Sequence, residues 1–173
     1  NKLEMEFYDR KLLESIDNVN NIDTNVLHKF DEKARRKFFS RTVRGMSNSP
    51  ELNLAEMQFN VLKQRAADGD SFVVLGRCSD EIFLGMADVV KIFIRANLDA
   101  KVKRVMTKRE MDAVTAVKTI ERNDKKRRAY HDYFCQSKWG DVSAYDICID
   151  SSKLDIDGTV EFLYEYIQRY LAR

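Results

Sequence analysis

Short apolar runs alternate along the chain with longer segments in which apolar residues recur every three or four positions. The runs at residues 72–75 and 91–96 are too short for helices and too uniformly apolar for exposed antiparallel strands, which predicts buried parallel strands. Two further apolar runs, at residues 6–8 and 145–149, also predict strands. The alternation therefore predicts an α/β domain whose visible strands centre near residues 7, 74, 93 and 148.

Segments with helical spacing fill the stretches between these strands. Residues 11–43 are interpreted as helices divided by a polar gap. Residues 45–53 contain the only proline of the chain and predict a loop. A helix is expected from about Leu54 to Ala67, with Gly69 as the left-handed residue that ends it.

Polar side chains mark the starts of the later helices. Asn97 directly follows an apolar run and offers its side chain as a helix cap. A further helix is expected from Asp112, and Asp155 is expected to cap the last helix. Right-handed crossovers through such helices produce a parallel sheet covered on both faces.

The bulk composition limits the class of protein. A chain of 173 residues is long enough for one domain with a full core. Its 30 basic and 28 acidic residues leave a net charge of +2, which argues against a polybasic nucleic-acid binder. No apolar run approaches the roughly 18 residues needed to span a bilayer, and no signal-like segment is present. We therefore expect a cytoplasmic protein that does not bind membranes and for which nucleic acid is not the first choice of partner, and the oligomeric state is left open.

The cysteines and histidines form no metal-ligand pattern. Cys78, Cys135 and Cys148 are widely spaced without a Cys-x-x-Cys motif, and His28 and His131 have no cysteine at ligand spacing. The pattern suggests neither a disulfide framework nor a zinc site. We expect a reducing compartment and no metal site built from side chains.

Candidate ligand-binding residues follow the predicted strands, because open α/β sheets bind ligands beyond the carboxyl ends of their strands. These ends carry Asp9, Arg77, Asn97 and residues 150–152. Arg77 is the most informative, since a charge directly after a buried run is costly unless it reaches an anion or solvent. A loop arginine exposed to solvent is the alternative.

Positive charge is concentrated at residues 118–128, which include six cations. On a helix, Asp124 would lie beside Arg127, with Arg122 on a neighbouring stripe. Such a density of charge favours phosphate binding. The alternative is a solvated helix with surface ion pairs.

Five motifs follow one another in the second half of the chain. They are Asp124-Lys125-Lys126-Arg127, the Tyr130/Tyr133 pair, Lys138-Trp139-Gly140-Asp141, Tyr145-Asp146 and Ile149-Asp150-Ser151-Ser152-Lys153-Leu154. Their order and spacing resemble the cytidylate kinase-like family of P-loop nucleoside monophosphate kinases, nearly without gaps from about Phe72 onward. The resemblance implies a three-layer P-loop NTPase-like domain with a parallel sheet covered by helices. It also implies a small helical acceptor-binding arm at about residues 10–70 and a helical lid at about residues 107–140.

The resemblance assigns roles on the nucleotide side. Asp124 and Arg127 match lid residues that contact nucleotide and phosphate, and we group Arg122 with them as a catalytic candidate. Ser151 and Ser152 fall in the loop that contacts the nucleotide base.

The acceptor side is also implied by the resemblance. Asp9 and Arg77 match residues beside the acceptor, and Arg41 falls in the acceptor-binding arm. Gln58 lies on the helix where an arginine for the acceptor phosphate is expected. Cys78 replaces an aspartate of true cytidylate kinases that helps to recognise cytidine, so the acceptor is left open.

The sequence contains no G-x-x-x-x-G-K-[ST] motif. In P-loop kinases the first strand and the phosphate loop precede a segment such as residues 6–8, so we expect residues 1–173 to be one domain that lacks these two elements, which would lie upstream of Asn1. The resemblance implies an ATP-dependent phosphotransferase that acts on a nucleoside monophosphate or similar small acceptor, with Mg²⁺ carried on ATP. The alternatives are a nucleotide-binding regulator without turnover, and a protein that binds acidic partners or RNA through its basic helix.

Overall fold

The computed structural model describes residues 2–9 and 55–173 in full, and the backbone of residues 42–43, 46–47 and 50–54. These residues fall into two compact units, Leu3–Ile82 and Phe83–Arg173, with Lys2 grouped in the second. None of the described helices is both long and apolar enough to cross a membrane.

The elements follow one another in mixed α/β order. The strands are β1 (Glu6–Tyr8), β2 (Thr42–Val43), β3 (Met46–Ser47), β4 (Phe72–Val74), β5 (Ile92–Arg95) and β6 (Ile147–Asp150). The helices are α1 (Pro50–Ala67), α2 (Ser79–Ile82), α3 (Leu98–Arg109), α4 (Ala113–Phe134) and α5 (Ser151–Leu171), with a 3₁₀ turn at Val142–Ala144.

In the first unit, β1 and β4 form a parallel pair in which Tyr8 lies opposite Val74. The N–H of Leu75 donates to the carbonyl of Tyr8 at 2.8 Å and extends the ladder by one step. On α1, Ala55 and Leu62 are fully buried. They are separated by two helical turns, so they lie on the same inner face of the helix.

The end of α1 confirms the expected stop at Gly69, which has a φ of 82°. The N–H of Gly69 donates to Ala66 at 3.1 Å and the N–H of Asp70 donates to Arg65 at 3.1 Å. These two bonds form a Schellman motif, which satisfies carbonyls at the end of the helix.

The structure contradicts two sequence expectations, because β2 and β3 form a hairpin and α1 begins before Leu54. β2 pairs antiparallel with β3, so the helix expected as far as Val43 is wrong at its end. β-branched residues such as Thr42 and Val43 pack well in strands, which explains the difference. The loop expected over 45–53 is also wrong, because α1 begins at Pro50, where proline fits the first helical position. The predicted helices over residues 11–41 lie outside the described residues.

In the second unit, β5 and β6 form a parallel pair in which Arg95 lies opposite Asp150. The expected cap at Asn97 is confirmed, since Asn97 Oδ1 accepts from the N–H of Ala100. The helix expected from Asp112 is confirmed as well, and Asp112 Oδ1 caps it by accepting from the N–H of Thr115. The side chain at the helix start therefore fixes where α3 and α4 begin.

The last helix begins earlier than expected. Asp150 caps α5 at Ser151, and Asp155 lies at a kink with a φ of 54°. The carboxylate of Asp155 accepts from the N–H of Gly158 at 2.9 Å. Asp155 therefore caps the second part of α5, as expected, although a first helical part from Ser151 precedes it.

All four predicted strands are present and both long-range pairings are parallel. The expectation of one parallel sheet is met only in part, because within the described residues the ladders stay confined to β1–β4, β2–β3 and β5–β6. An apolar run indicates that a strand is buried, whereas its neighbour depends on contacts distant in sequence. The three-layer arrangement stays a prediction.

Candidate active site

The carboxylate of Asp124 joins two helices of the second unit. Lys101 Nζ on α3 donates to Asp124 Oδ2 at 2.7 Å, and Arg127 Nη1 donates to Asp124 Oδ1 at 2.9 Å. The exposed fraction of the side chain is 23% for Asp124 and 34% for Lys101. Each oxygen of this partly buried carboxylate is thus occupied by a different cation.

Local geometry explains the arrangement. Asp124 and Arg127 are three residues apart on α4 and share a face of the helix. Glu110 adopts a left-handed conformation with a φ of 52°, which ends α3 and lets the chain turn directly into α4. Helices joined by so short a turn lie antiparallel side by side, and this brings Lys101 to Asp124.

Arg127 retains donors for a ligand. A guanidinium has five N–H donors, and the side chain of Arg127 is 65% exposed. The remaining donors are therefore accessible to an anion such as phosphate. Arg122, the third catalytic candidate, is exposed on α4, and the Asp124 network does not include it.

The carboxyl ends of β5 and β6 are tied together by polar contacts. Arg95 Nη2 lies 3.3 Å from Asp150 Oδ2, and Ser151 Oγ donates to the carbonyl of Arg95 at 3.0 Å. The hydroxyl and the N–H of Ser152 both donate to Asp150 Oδ1. These two hydrogen bonds, followed by the charge of Arg95, lower the pKa of Asp150 below its usual range.

The predicted base-contacting loop is wrong in its local structure. Ser151 and Ser152 form the first turn of α5 directly after β6. A side-chain cap at Asp150 makes this immediate helix start favourable. Both hydroxyls are engaged with the ends of the two strands.

Asp9 and Arg77 belong to the same edge of the first unit. Asp9 follows β1 directly and Arg77 follows β4 after two residues. Since Tyr8 lies opposite Val74 in a parallel pair, the residues that follow these strands emerge at one edge. Both side chains are half-buried.

The turn after β4 has an uncommon backbone. Gly76, Arg77 and Cys78 are all left-handed, with φ values of 74°, 59° and 56°. This conformation costs a residue with a Cβ about 1–2 kcal/mol. Strain of this kind concentrates at functional sites, where surrounding structure maintains it. Cys78 is buried, and the N–H of Ser79 closes the turn on the carbonyl of Gly76 at 3.2 Å.

The other two acceptor candidates are a buried side chain on α1 and a residue outside the described part of the chain. Gln58 is buried on α1, one turn from Ala55 on the same face, so it holds a core position. Arg41 lies outside the described residues.

Two contacts of this site could not be found from sequence spacing. Lys101 reaches Asp124 from another helix, and the guanidinium carbon of Arg128 lies 5.6 Å from the centre of the Trp139 ring. Both partners are distant along the chain, and a periodicity rule finds only partners one turn apart.

Comparison with known proteins gives a consistent picture. Residues 1–153 match the cytidylate kinase-like family. The chain is 30% identical over 96 residues to a cytidylate kinase of Methanosarcina mazei and 31% identical over 96 residues to one of Methanosarcina acetivorans. Each match covers 54% of this chain and 53% of the relative, so the chain spans about half the length of the curated relatives it matches.

A solved structure supports the fold. The crystal structure of an uncharacterized protein from Eubacterium ventriosum superposes with a TM-score of 0.72 at 30% identity, over 96% of this chain and 84% of the other. Together with the match over residues 1–153, the comparisons identify the chain as a member of the cytidylate kinase-like family.

Proposed function

We propose that the protein transfers the terminal phosphoryl group of ATP to a small phosphorylated acceptor, such as a nucleoside monophosphate. The observation that carries the proposal is the network of Lys101, Asp124 and Arg127 within the part of the chain that matches the family. Phosphoryl transfer depends mainly on positioned positive charge around the transferred group. Arg127, aligned by Asp124 and exposed, supplies that charge in the proposed reaction.

The acceptor is proposed to bind at the edge formed by Asp9 and Arg77. A half-buried guanidinium can form two parallel hydrogen bonds to a phosphate, which fixes the orientation as well as the position of the acceptor. Asp9 would orient the acceptor, and Arg41 would add a contact to its anionic part. Because Cys78 stands in place of an acidic residue, the proposal does not restrict the acceptor to cytidine.

Magnesium would arrive with the nucleotide. Mg²⁺ retains several waters and binds substrate phosphates, so it needs few protein ligands. The protein side chains would then have two tasks, which are to hold the phosphates and to exclude water from them.

The test is a panel of nucleoside monophosphates assayed with Mg–ATP and the full-length protein. Turnover of one or more acceptors is expected. Arg127→Ala should lower kcat by roughly 10² or more, the range found for arginines that act in the transition state. If an acceptor turns over and Arg127→Ala leaves kcat intact, the mechanism is wrong. If ATP binds and no acceptor turns over, a nucleotide-binding regulator explains the protein better.

A further inference from the structure

We infer that Lys101 is a positioning residue that offsets the charge of Asp124 and so keeps Arg127 attractive to an anionic phosphate. The inference rests on the proposed function, since it names a further residue that serves the same site. Lys101 belongs to α3 and therefore lies outside residues 118–128 of α4, where the positive charge is concentrated.

The charges at the network show why Lys101 matters. One carboxylate, Asp124, contacts two cations, and the three groups together carry one net positive charge. Without Lys101, Asp124 and Arg127 would form a neutral pair. An approaching phosphate would then compete with the carboxylate for the guanidinium and gain less from the exchange.

The exposure of the three side chains agrees with these roles, in which Lys101 offsets the charge of Asp124 and Arg127 meets the anion. Asp124 and Lys101 are 23% and 34% exposed, whereas Arg127 is 65% exposed. The shielded pair therefore faces the protein, and the open guanidinium faces solvent, where a ligand can reach it. Charges that are partly shielded from water are also less weakened by salt than fully exposed ones.

Within α3 itself, Lys101 occupies a position that does not favour a lysine. It lies one turn from the N-terminus of α3, and its backbone N–H donates to the carbonyl of Asn97 at 3.1 Å. The dipole of a helix disfavours a cation near this end. The contact with Asp124 on α4 is thus what makes a lysine favourable here.

The experiment measures anion binding by the fluorescence of Trp139, the only tryptophan, whose ring lies 5.6 Å from the guanidinium carbon of Arg128 on α4. The probes are Mg–ATP and inorganic tripolyphosphate. Lys101→Met should weaken both by about 3- to 10-fold, given the size of such charge pairs. Lys101→Arg should restore most of the affinity. Lys103→Met is the matched control and should change little, because Lys103 is exposed on α3 and does not belong to the network.

A second background separates charge compensation from direct contact with the ligand. In Asp124→Asn there is no carboxylate charge to offset, so Lys101→Met should have little further effect. If Lys101→Met weakens binding equally in both backgrounds, Lys101 attracts the anion without acting through Asp124, and the inference is wrong. It is also wrong if Lys101→Met binds both probes as the parent protein does.

The outcomes also separate this inference from the proposed function. If tripolyphosphate binding depends on Lys101 as expected while no acceptor is phosphorylated, the proposed function fails and the inference stands. If the parent protein binds neither probe, both are overturned. Lys101→Gln, with circular dichroism equal to that of the parent, provides a second neutral variant in case the methionine variant folds poorly.

Discussion

The indole ring of Trp139 packs edge-on against the phenyl ring of Phe93, with 5.7 Å between the ring centroids. Tyr145 also contacts Phe93, at 5.0 Å. The backbone N–H of Trp139 donates to the carboxylate of Asp132 on α4 at 3.0 Å. Phe93 on β5 is therefore the point at which the chain leaving α4 is fixed to the strand pair of the second unit.

Gly140→Ala should destabilise the protein by about 1–3 kcal/mol, because two effects combine. Gly140 has a φ of 81°, and an added Cβ would lie 3.2 Å from Cζ of Phe93. Gly85→Ala is the matched control, since Gly85 has a φ of 77° and no atom within 4 Å of an added Cβ. Urea unfolding of both variants checks this. Equal losses would show that the contact with Phe93 contributes nothing beyond backbone strain.

Asp150 should give the protein a stability that depends on pH. Hydrogen bonds from Ser152 and the charge of Arg95 lower the pKa of Asp150 in the folded state. A lowered pKa contributes stability above the usual carboxyl value of about 4, and this contribution is lost as pH falls through the folded value. Asp150→Asn should therefore lower Tm at neutral pH and differ progressively less from the parent toward pH 2 to 3.

Thermal unfolding over that pH range is the measurement. Asp157→Asn is a suitable control, because Asp157 lies exposed on the same helix as Ser152. A deficit of Asp150→Asn that stays constant from neutral to acid pH would contradict the role assigned to the ionised carboxylate.

The parts of the fold that sequence predicts well are those fixed by neighbouring residues. Asn97, Asp112 and Gly69 were expected to start or end helices, and each does so, because caps act within one turn. The hairpin of β2 and β3 was missed, since two-residue strands give no periodic signal.

Less of the candidate site could be predicted from the sequence, because only contacts between residues close along the chain leave a pattern in it. Asp124 and Arg127 lie three residues apart, so helical spacing alone placed them together. Lys101 joins them from α3, and nothing in the order of residues predicts which side chain of one helix meets a given side chain of the next. The left-handed backbone of Arg77 also has no sequence signal, because arginine adopts that conformation only under the influence of its surroundings.

Residues 118–133 of α4 should exchange amide hydrogens faster in the absence of ligand than with Mg–ATP bound. The segment is helical, as predicted, and many of its cations are exposed on one helix. Like charges repel until an anion bridges them, so a bound phosphate should reduce local opening. Hydrogen exchange followed by mass spectrometry measures this. Equal protection with and without Mg–ATP would identify α4 as a solvated structural helix.

The last prediction compares Arg77→Gly with Arg77→Ala. Arg77 has a φ of 59°, which glycine adopts without strain and alanine does not. The glycine variant should therefore be more stable than the alanine variant by about 1 kcal/mol, as measured by urea unfolding. Both variants lack the guanidinium, so both should raise the KM for the acceptor in the proposed reaction with little change in the KM for ATP. A glycine variant no more stable than the alanine variant would refute the left-handed turn, and an unchanged acceptor KM would remove Arg77 from the acceptor site.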